Sequence, residues 1–176
     1  MTIVRKAVSE DIPSLKLLIE QSARELGRAF YSAEQIEGAL AGAWGVDSQL
    51  IADGTYFVAE AGGDFAACGG WSRRKTLFGG DAAADRVPHL LDAATEAARI
   101  RAFFVHPKWA RRGLGNELLK LCETELTGEG FRRAELVATL PGVPFYRKFG
   151  YREMERIQHP LPNGLAIEFV RMTKAF

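Results

Sequence analysis

The sequence is most informative where it runs Val105-His106-Pro107-Lys108-Trp109-Ala110-Arg111-Arg112-Gly113-Leu114-Gly115-Asn116. An apolar predicted strand, Arg99–Val105, ends at the start of this stretch, and a long amphipathic helix is predicted from Gly113 onward. The turn between them carries two arginines and two glycines. Backbone N–H groups at a helix start have no intrahelical partner, and the helix dipole adds positive charge there. The pattern therefore indicates a site for an anion such as a phosphate.

Two common nucleotide-binding motifs do not fit this turn. A dinucleotide-binding fingerprint requires a third glycine where Leu118 stands, and a P-loop requires Lys-Ser or Lys-Thr where Asn116 and Glu117 stand. A Gly-x-Gly turn alone is also compatible with a tight strand-to-helix connection. The turn by itself does not identify the anion.

Outward from the turn, hydrophobic periodicity predicts a mixed α/β sheet covered by helices, in a single domain that spans residues 1–176. The predicted elements are, in chain order, a strand at Thr2–Ala7, a helix capped by Ser9, a short helix that starts with the capping box Ser32-Ala33-Glu34-Gln35, a hairpin of Thr55–Glu60 and Phe65–Trp71, an irregular segment Arg73–Ala97, the strand Arg99–Val105, a helix from Gly113 to Thr127, a strand at Ala134–Ala138, a short helix at Pro144–Phe149, and strands at Tyr151–Gln158 and Ala166–Thr173.

The stretch Phe103–Leu119 resembles the acetyl-CoA motif of the GNAT superfamily of N-acetyltransferases, which reads Gln/Arg-x-x-Gly-x-Gly/Ala after an apolar strand. Gly113 and Gly115 match this motif, whereas Ala110 stands at its first position. A second family pattern, Phe-Tyr-x-x-x-Gly-Phe, is similar to Phe145–Tyr151. The order of predicted elements also matches the family, so the resemblance covers nearly the whole chain.

This resemblance implies a GNAT-like fold, with a central mixed sheet of six to seven strands that splays between strands 4 and 5, and about four helices. It also implies acetyl-CoA as co-substrate. The pantetheine arm would lie in the splay and bond to the backbone of Phe103, Phe104 and Val105. The pyrophosphate would lie on the turn formed by Arg111, Arg112, Gly113, Leu114, Gly115 and Asn116.

The resemblance further implies a catalytic role for Tyr146, where many family members place a tyrosine that protonates the departing thiolate. Attack of an amine on a thioester expels a thiolate, which a nearby hydroxyl can stabilise. A residue packed in the core is the alternative for Tyr146. No general base is assigned, because Arg99–Val105 contains no acid and Glu135 lies near the start of the next strand, where a surface position or an ion pair is expected.

For the acceptor, the resemblance points to Trp71, Arg73 and Arg74, because the region after the third strand lines the acceptor cleft in family members. Two guanidinium groups would suit a carboxylate or phosphate on the acceptor. A solvated basic loop is the alternative. Phe30 and Tyr31 lie in the region that covers the acceptor in relatives, and burial in a folded helix junction is the alternative for both.

Composition limits the remaining possibilities. The 176 residues include 23 basic and 22 acidic side chains, so no net field attracts nucleic acid or an anionic membrane. No apolar run approaches the ~20 residues of a membrane span, and the N-terminus lacks the apolar core of a signal peptide. Cys68 and Cys122 are expected to be reduced core thiols, and no metal site is expected.

We therefore expect a cytoplasmic enzyme that transfers the acetyl group of acetyl-CoA to a primary amine of a small molecule or peptide by direct attack. A non-catalytic acyl-CoA-binding sensor or regulatory module with the same fold is the alternative. Neither nucleic acid nor a membrane is expected as a partner. The acceptor, the use of other acyl groups and the oligomeric state stay open. A homodimer is the first assembly to consider, because dimers are common among the relatives.

Overall fold

The computed structural model describes all residues, Met1–Phe176. Its strands are β1 (Thr2–Lys6), β2 (Tyr56–Ala61), β3 (Asp64–Ser72), β4 (Ala98–Val105), β5 (Arg133–Thr139), β6 (Arg152–Pro160) and β7 (Ala166–Ala175). Its helices are α1 (Ile12–Gly27), α2 (Ala33–Leu40), α3 (Ser48–Ala52), α4 (Leu114–Gly128) and α5 (Val143–Lys148). None of these helices combines the length and the apolar character that crossing a membrane requires.

All seven strands form one sheet in the order β1-β2-β3-β4-β5-β7-β6. Neighbouring strands are antiparallel, except that β4 and β5 run parallel. These two strands pair only at Ala98 with Ala134 and at Arg99 with Glu135, and then separate. The predicted mixed sheet and its splay between the fourth and fifth strands are therefore confirmed.

Apolar side chains cover both faces of the sheet, because successive residues of a strand point to opposite faces. In β2, Phe57 and Ala59 join the core beneath α4 and α5, whereas Tyr56 and Val58 join the core beneath α1 and α2. On α4 the apolar stripe predicted from the sequence is buried at Leu114, Leu118, Leu119, Cys122 and Leu126, whereas its sixth member, Leu121, is only partly buried. The two cores hold the sheet between helical layers.

The helix starts show one prediction that is right and one that is wrong. Ser32 and Gln35 form the predicted capping box, with each side chain bonded to the backbone N–H of the other residue. Ser9 does not cap α1, because Ser9–Asp11 forms a separate 3-10 turn. The Asp11 carboxylate accepts the Val8 N–H at 2.8 Å instead.

Two further differences concern short or irregular parts of the chain. The sequence predicted about four helices, and the fifth is α3, whose first turn is capped by Asp47 through the Gln49 N–H at 3.0 Å. The segment between β3 and β4 is irregular, as predicted, apart from an isolated bridge between Arg74 and Leu90. Both parts lie close to the site described next.

Candidate active site

The separation of β4 from β5 opens a cleft of about 280 Å³ in the middle of the sheet. One wall is β4 from Ile100 to Val105, and the other is β5 from Leu136 to Thr139. Most of the other lining residues are hydrophobic and come from α1, α5, β7 and the segment around Phe78. A concave, mostly apolar cleft with few polar groups is typical of a ligand site.

A bulge in β4 accompanies this opening. Ala102 has a φ of 53°, a left-handed conformation that non-glycine residues rarely adopt, and the β3–β4 register shifts between Cys68 and Gly70. The Tyr56 hydroxyl donates to the Ala102 carbonyl at 3.0 Å and holds the bulge. A Cβ at Gly69 would lie 2.7 Å from the Phe103 ring, so a glycine is needed there. Beyond Arg99, the edge of β4 that faces β5 is left without a strand partner.

The predicted anion turn lies at the open end of the cleft. Arg111 and Gly113 both have positive φ, 61° and 88°. The first backbone bond of α4 is donated by the Glu117 N–H to the Gly113 carbonyl at 3.1 Å. The amides of residues 111–116 therefore precede the helical ladder, and successive free amides in such turns form concave anion sites.

Cationic side chains surround this turn. The Arg112 guanidinium lies 4.8 Å from the centre of the Trp109 ring, and the Lys108 ammonium lies 5.4 Å from it. Arg111 and Arg112 are exposed. Gly115 belongs to both the turn and the cleft lining, and a Cβ there would lie 3.3 Å from the Phe145 ring. The turn and the cleft are thus one continuous surface.

Tyr146 lies on α5 and lines the cleft with 8% of its surface exposed. Its ring packs edge-on against Phe103, Phe145 and Tyr151, with centroid distances of 6.3, 5.0 and 5.8 Å. Burial, and then the nearby Cys122, raise the pKa of Tyr146 well above its usual value. The phenol therefore keeps its proton at neutral pH, as a hydrogen-bond donor must.

The three residues predicted to bind the acceptor do not line the cleft. Trp71 is fully buried beneath α4, and its indole N–H donates to Glu125 at 2.9 Å. Arg73 pairs with Glu129 at 2.5 Å, and Arg74 pairs with Asp53 at 2.7 Å. The side chain of Trp71 points to the α4 face, and both guanidinium groups are held by carboxylates outside the cleft. The predicted acceptor contact of these three residues is not supported by their positions.

The end of the cleft away from the anion turn is formed by residues that sequence reasoning mostly missed. The large side chains there are those of Leu26, Tyr31, Trp44, Leu77, Phe78 and Phe169. Only Tyr31 was singled out in the sequence. Its hydroxyl donates to the Glu168 carbonyl at 2.7 Å and accepts from the Leu140 N–H at 2.8 Å, and burial raises its pKa to about 12.

A buried ion network holds the segment around Phe78 over this end of the cleft. Arg101, 3% exposed, donates to Asp47 at 2.8 Å, to the Gly79 carbonyl at 2.6 Å and to the Thr76 carbonyl at 3.1 Å. Arg86 contacts the other oxygen of Asp47 at 2.7 Å. Arg101 of β4 thus holds one end of the segment 76–86 directly, and the Asp47 carboxylate links Arg101 to Arg86 at the other end.

Glu135 and His106 are both engaged in structural contacts. Glu135 accepts from Arg99 at 3.1 Å and from Arg171 at 2.7 Å, where β4 and β5 are still paired, so the expected ion pair is confirmed. The His106 Nδ1 accepts the Lys108 N–H at 3.1 Å and caps the turn that follows β4. Neither side chain lines the cleft.

Comparison with known families agrees with this geometry. A model of the acetyltransferase (GNAT) family matches residues 19–151, more than half of the chain. The chain therefore belongs to the GNAT acetyltransferase family. No curated protein matches the sequence.

Solved structures of other acetyltransferases have similar folds. A GCN5-related N-acetyltransferase from Rhodopseudomonas palustris is 19% identical, with a TM-score of 0.73 over 100% of this chain and 96% of that one. The PaiA N-acetyltransferase of Thermoplasma acidophilum, solved with coenzyme A, is 14% identical, with a TM-score of 0.67 and coverage of 100% and 99%. A GNAT acetyltransferase from Brucella melitensis, solved with acetyl-CoA, is 18% identical, with a TM-score of 0.59 and coverage of 100% and 88%. At these identities the likeness concerns the fold.

Proposed function

We propose that this protein is an acetyl-CoA-dependent N-acetyltransferase that joins the acetyl group to a primary amine. The observation that carries the proposal is the continuity between the β4–β5 cleft and the turn of free amides, which share Gly115. A thioester cofactor whose arm is attached to a pyrophosphate needs both features, an apolar channel for the arm and an anion site at the channel mouth. Two of the relatives with the same fold were solved with coenzyme A or acetyl-CoA.

In this proposal the pyrophosphate lies on the amides of residues 111–116, next to Arg111 and Arg112. The arm follows β4, where Phe103, Phe104 and Val105 present backbone groups that no neighbouring strand on the β5 side occupies. Amide groups of the arm would replace the missing strand partner. This arrangement satisfies backbone groups that would otherwise require water.

The reaction is a direct displacement. The amine nitrogen attacks the thioester carbonyl carbon, the C–N bond forms, the C–S bond breaks, and the proton lost by the amine becomes available to the thiolate. Burial raises the pKa of the Tyr146 phenol well above that of an ordinary tyrosine, and so above that of an alkyl thiol. Tyr146 therefore stabilises the thiolate as a hydrogen-bond donor, and full proton transfer from its phenol is uphill.

A non-catalytic acyl-CoA-binding module is the second candidate. It is favoured by the composition of the cleft, whose lining contains neither a carboxylate nor a histidine to accept the proton of an ammonium. Release of free CoA thiol from acetyl-CoA, measured against a panel of amines, separates the candidates. A sensor binds the thioester without amine-dependent release.

The cofactor site is tested by replacing Gly115 with glutamate, which puts a negative side chain where the pyrophosphate needs bare amides. Loss of about 3 kcal/mol would weaken CoA binding more than about a hundredfold, measured by calorimetry. Gly128→Glu is the matched control, because it adds the same charge at the exposed far end of α4, where nothing lies within 4 Å of a new Cβ.

We expect the Gly128→Glu protein to bind CoA within about twofold of the parent. Circular dichroism verifies that both variants fold. A folded Gly115→Glu protein that binds CoA as tightly as the parent would show that the pyrophosphate lies elsewhere.

A further inference from the structure

We propose that the acceptor is a small aromatic amine that is uncharged at neutral pH, with arylamines as the chemical class. This assignment rests on the acetyltransferase function proposed above. It follows from three properties of the cleft end around Phe78: aromatic walls, the charge of the lining, and limited volume.

Aromatic rings form the walls of this end of the cleft. Phe78 and Phe169 pack edge-on, with centroids 5.8 Å apart. Trp44 lies 6.1 Å from Phe169 and 6.0 Å from Tyr31. Leu26 completes the lip and is 38% exposed. Such walls bind a planar apolar body through edge-to-face and offset contacts.

The lining carries no negative charge. Its one charged side chain is Arg101, whose guanidinium is held by Asp47 and by the carbonyls of Gly79 and Thr76. The other titratable lining residues are Tyr31 and Tyr146. No histidine lines the cleft, and the His159 ring packs against the rings of Phe78 and Phe169, with centroid distances of 5.0 and 5.9 Å. An ammonium would therefore enter an apolar cleft without a counter-ion and near a guanidinium.

The protonation state of the amine decides between acceptor classes. An alkylamine with a lysine-like pKa of about 10.4 is neutral in only about one molecule in 2,500 at pH 7, which corresponds to about 4.6 kcal/mol. An arylamine shares its lone pair with the ring and is already neutral. After attack, its N–H proton is acidic enough to pass to the departing thiolate without a protein base. A cleft whose lining contains no carboxylate and no histidine can therefore support the reaction of an arylamine.

The volume of the cleft sets the size of the acceptor. About 280 Å³ must hold both the thioester end of the cofactor and the acceptor. That space suits a single aromatic ring. A longer acceptor, such as a polyamine or a peptide, would have to leave most of its length outside the cleft.

The test uses two isomers, 4-methylaniline and benzylamine, which share their atoms and differ in basicity, together with agmatine as a cation. The kcat/KM of each amine is measured with saturating acetyl-CoA between about pH 6.5 and about pH 8.5. We expect a flat profile for 4-methylaniline and a rise of about tenfold per pH unit for benzylamine. Agmatine should be the poorest acceptor.

Flat profiles for benzylamine or agmatine, with values above that of 4-methylaniline at pH 7, would overturn the proposed acceptor class and leave the acetyltransferase function standing. If acetyl-CoA binds but no amine releases CoA, the acetyltransferase function itself fails, and the acceptor class with it. The two failures are therefore distinguishable.

A pair of variants tests the role of charge directly. Leu26→Glu places a carboxylate at the lip of the cleft, and Leu26→Gln has nearly the same shape without the charge. We expect the ratio of agmatine to 4-methylaniline kcat/KM to be at least about tenfold higher in Leu26→Glu than in Leu26→Gln. Equal ratios in the two variants would show that charge at this end does not select the acceptor.

Discussion

Replacing Asp47 with asparagine perturbs the most deeply buried ion network of the molecule. Asp47 and Arg101 have side chains that are 2% and 3% exposed and lie 2.8 Å apart. Asparagine keeps the shape of the side chain and removes its charge. Arg101 then keeps two carbonyl acceptors, the Gly79 and Thr76 oxygens, but loses its counter-ion.

The expected loss of stability follows from this burial. Removing one partner of a buried ion pair destabilises a protein by about 3–5 kcal/mol, because the remaining charge is uncompensated. Asparagine still offers an acceptor oxygen, so we expect the lower end, about 3 kcal/mol. For a chain of this length each kcal/mol corresponds to about 2–4 °C, so Tm should fall by about 6–12 °C.

Thermal unfolding followed by circular dichroism measures this change, with Asp53→Asn as control. Asp53 is 8% exposed and pairs with Arg74, whose side chain is 26% exposed, so this pair is better solvated than the pair of Asp47 and Arg101, and its loss should destabilise by less, about 1–2 kcal/mol. A drop in Tm for Asp47→Asn no larger than that for Asp53→Asn would refute the assignment. If the network also holds Phe78 in place, Asp47→Asn should raise the acceptor KM and leave CoA affinity within about twofold.

Three further outcomes are expected. Tyr146→Phe should lower kcat by about 10- to 100-fold with little change in the acetyl-CoA KM, because a hydrogen bond to a charged group contributes about 1.5–3 kcal/mol; an unchanged kcat, with chemistry rate-limiting, would contradict this. Joint replacement of Arg73 and Arg74 by alanine should leave both KM values within about threefold, since both guanidinium groups are paired outside the cleft; a large rise in the acceptor KM alone would restore the sequence-based assignment. Arg5 lowers the pKa of Asp11, so this pair stabilises the fold fully above the unfolded pKa near 3.9, and the stabilisation is lost as pH falls through the folded pKa. Urea unfolding between about pH 5 and about pH 3 should therefore show a shallower decline in unfolding free energy for Asp11→Asn than for the parent.

Most of the fold could be predicted because its signals are local. The stripe of α4 and the Ser32 capping box are patterns within a few residues of one another. Ser9 was assigned wrongly because a serine before an apolar run is an equally good start for a 3-10 turn, and Asp11 supplies the stronger acceptor. Helix α3 was missed because its five residues are too few to show a period, although Asp47 is a typical cap.

The same distinction between local and long-range signals explains which parts of the site could be predicted. The anion turn is contiguous in sequence, so its glycines and arginines could be recognised together. The end of the cleft around Phe78 is assembled from α1, the segment between β3 and β4, and β7, which no local pattern joins. The partners of Arg73 and Arg74 lie 56 and 21 residues away, so the sequence showed two charges and not their neutralisation.

Strand β4 both holds the sheet together and forms one wall of the cleft. At its start Arg99, together with Arg171 of β7, holds Glu135, which fixes β5 beside β4. At Ala102 the left-handed residue, at a cost of about 1–2 kcal/mol, redirects the strand and leaves the cleft open. Glu135, the acidic residue of β5, is therefore engaged in the ion pairs that hold β4 and β5 together at one end. No carboxylate lies inside the cleft to accept a proton. If the protein acetylates amines as proposed, the amine should react best when it arrives already neutral, and the ion cluster that shapes the sheet would then also restrict which acceptors react.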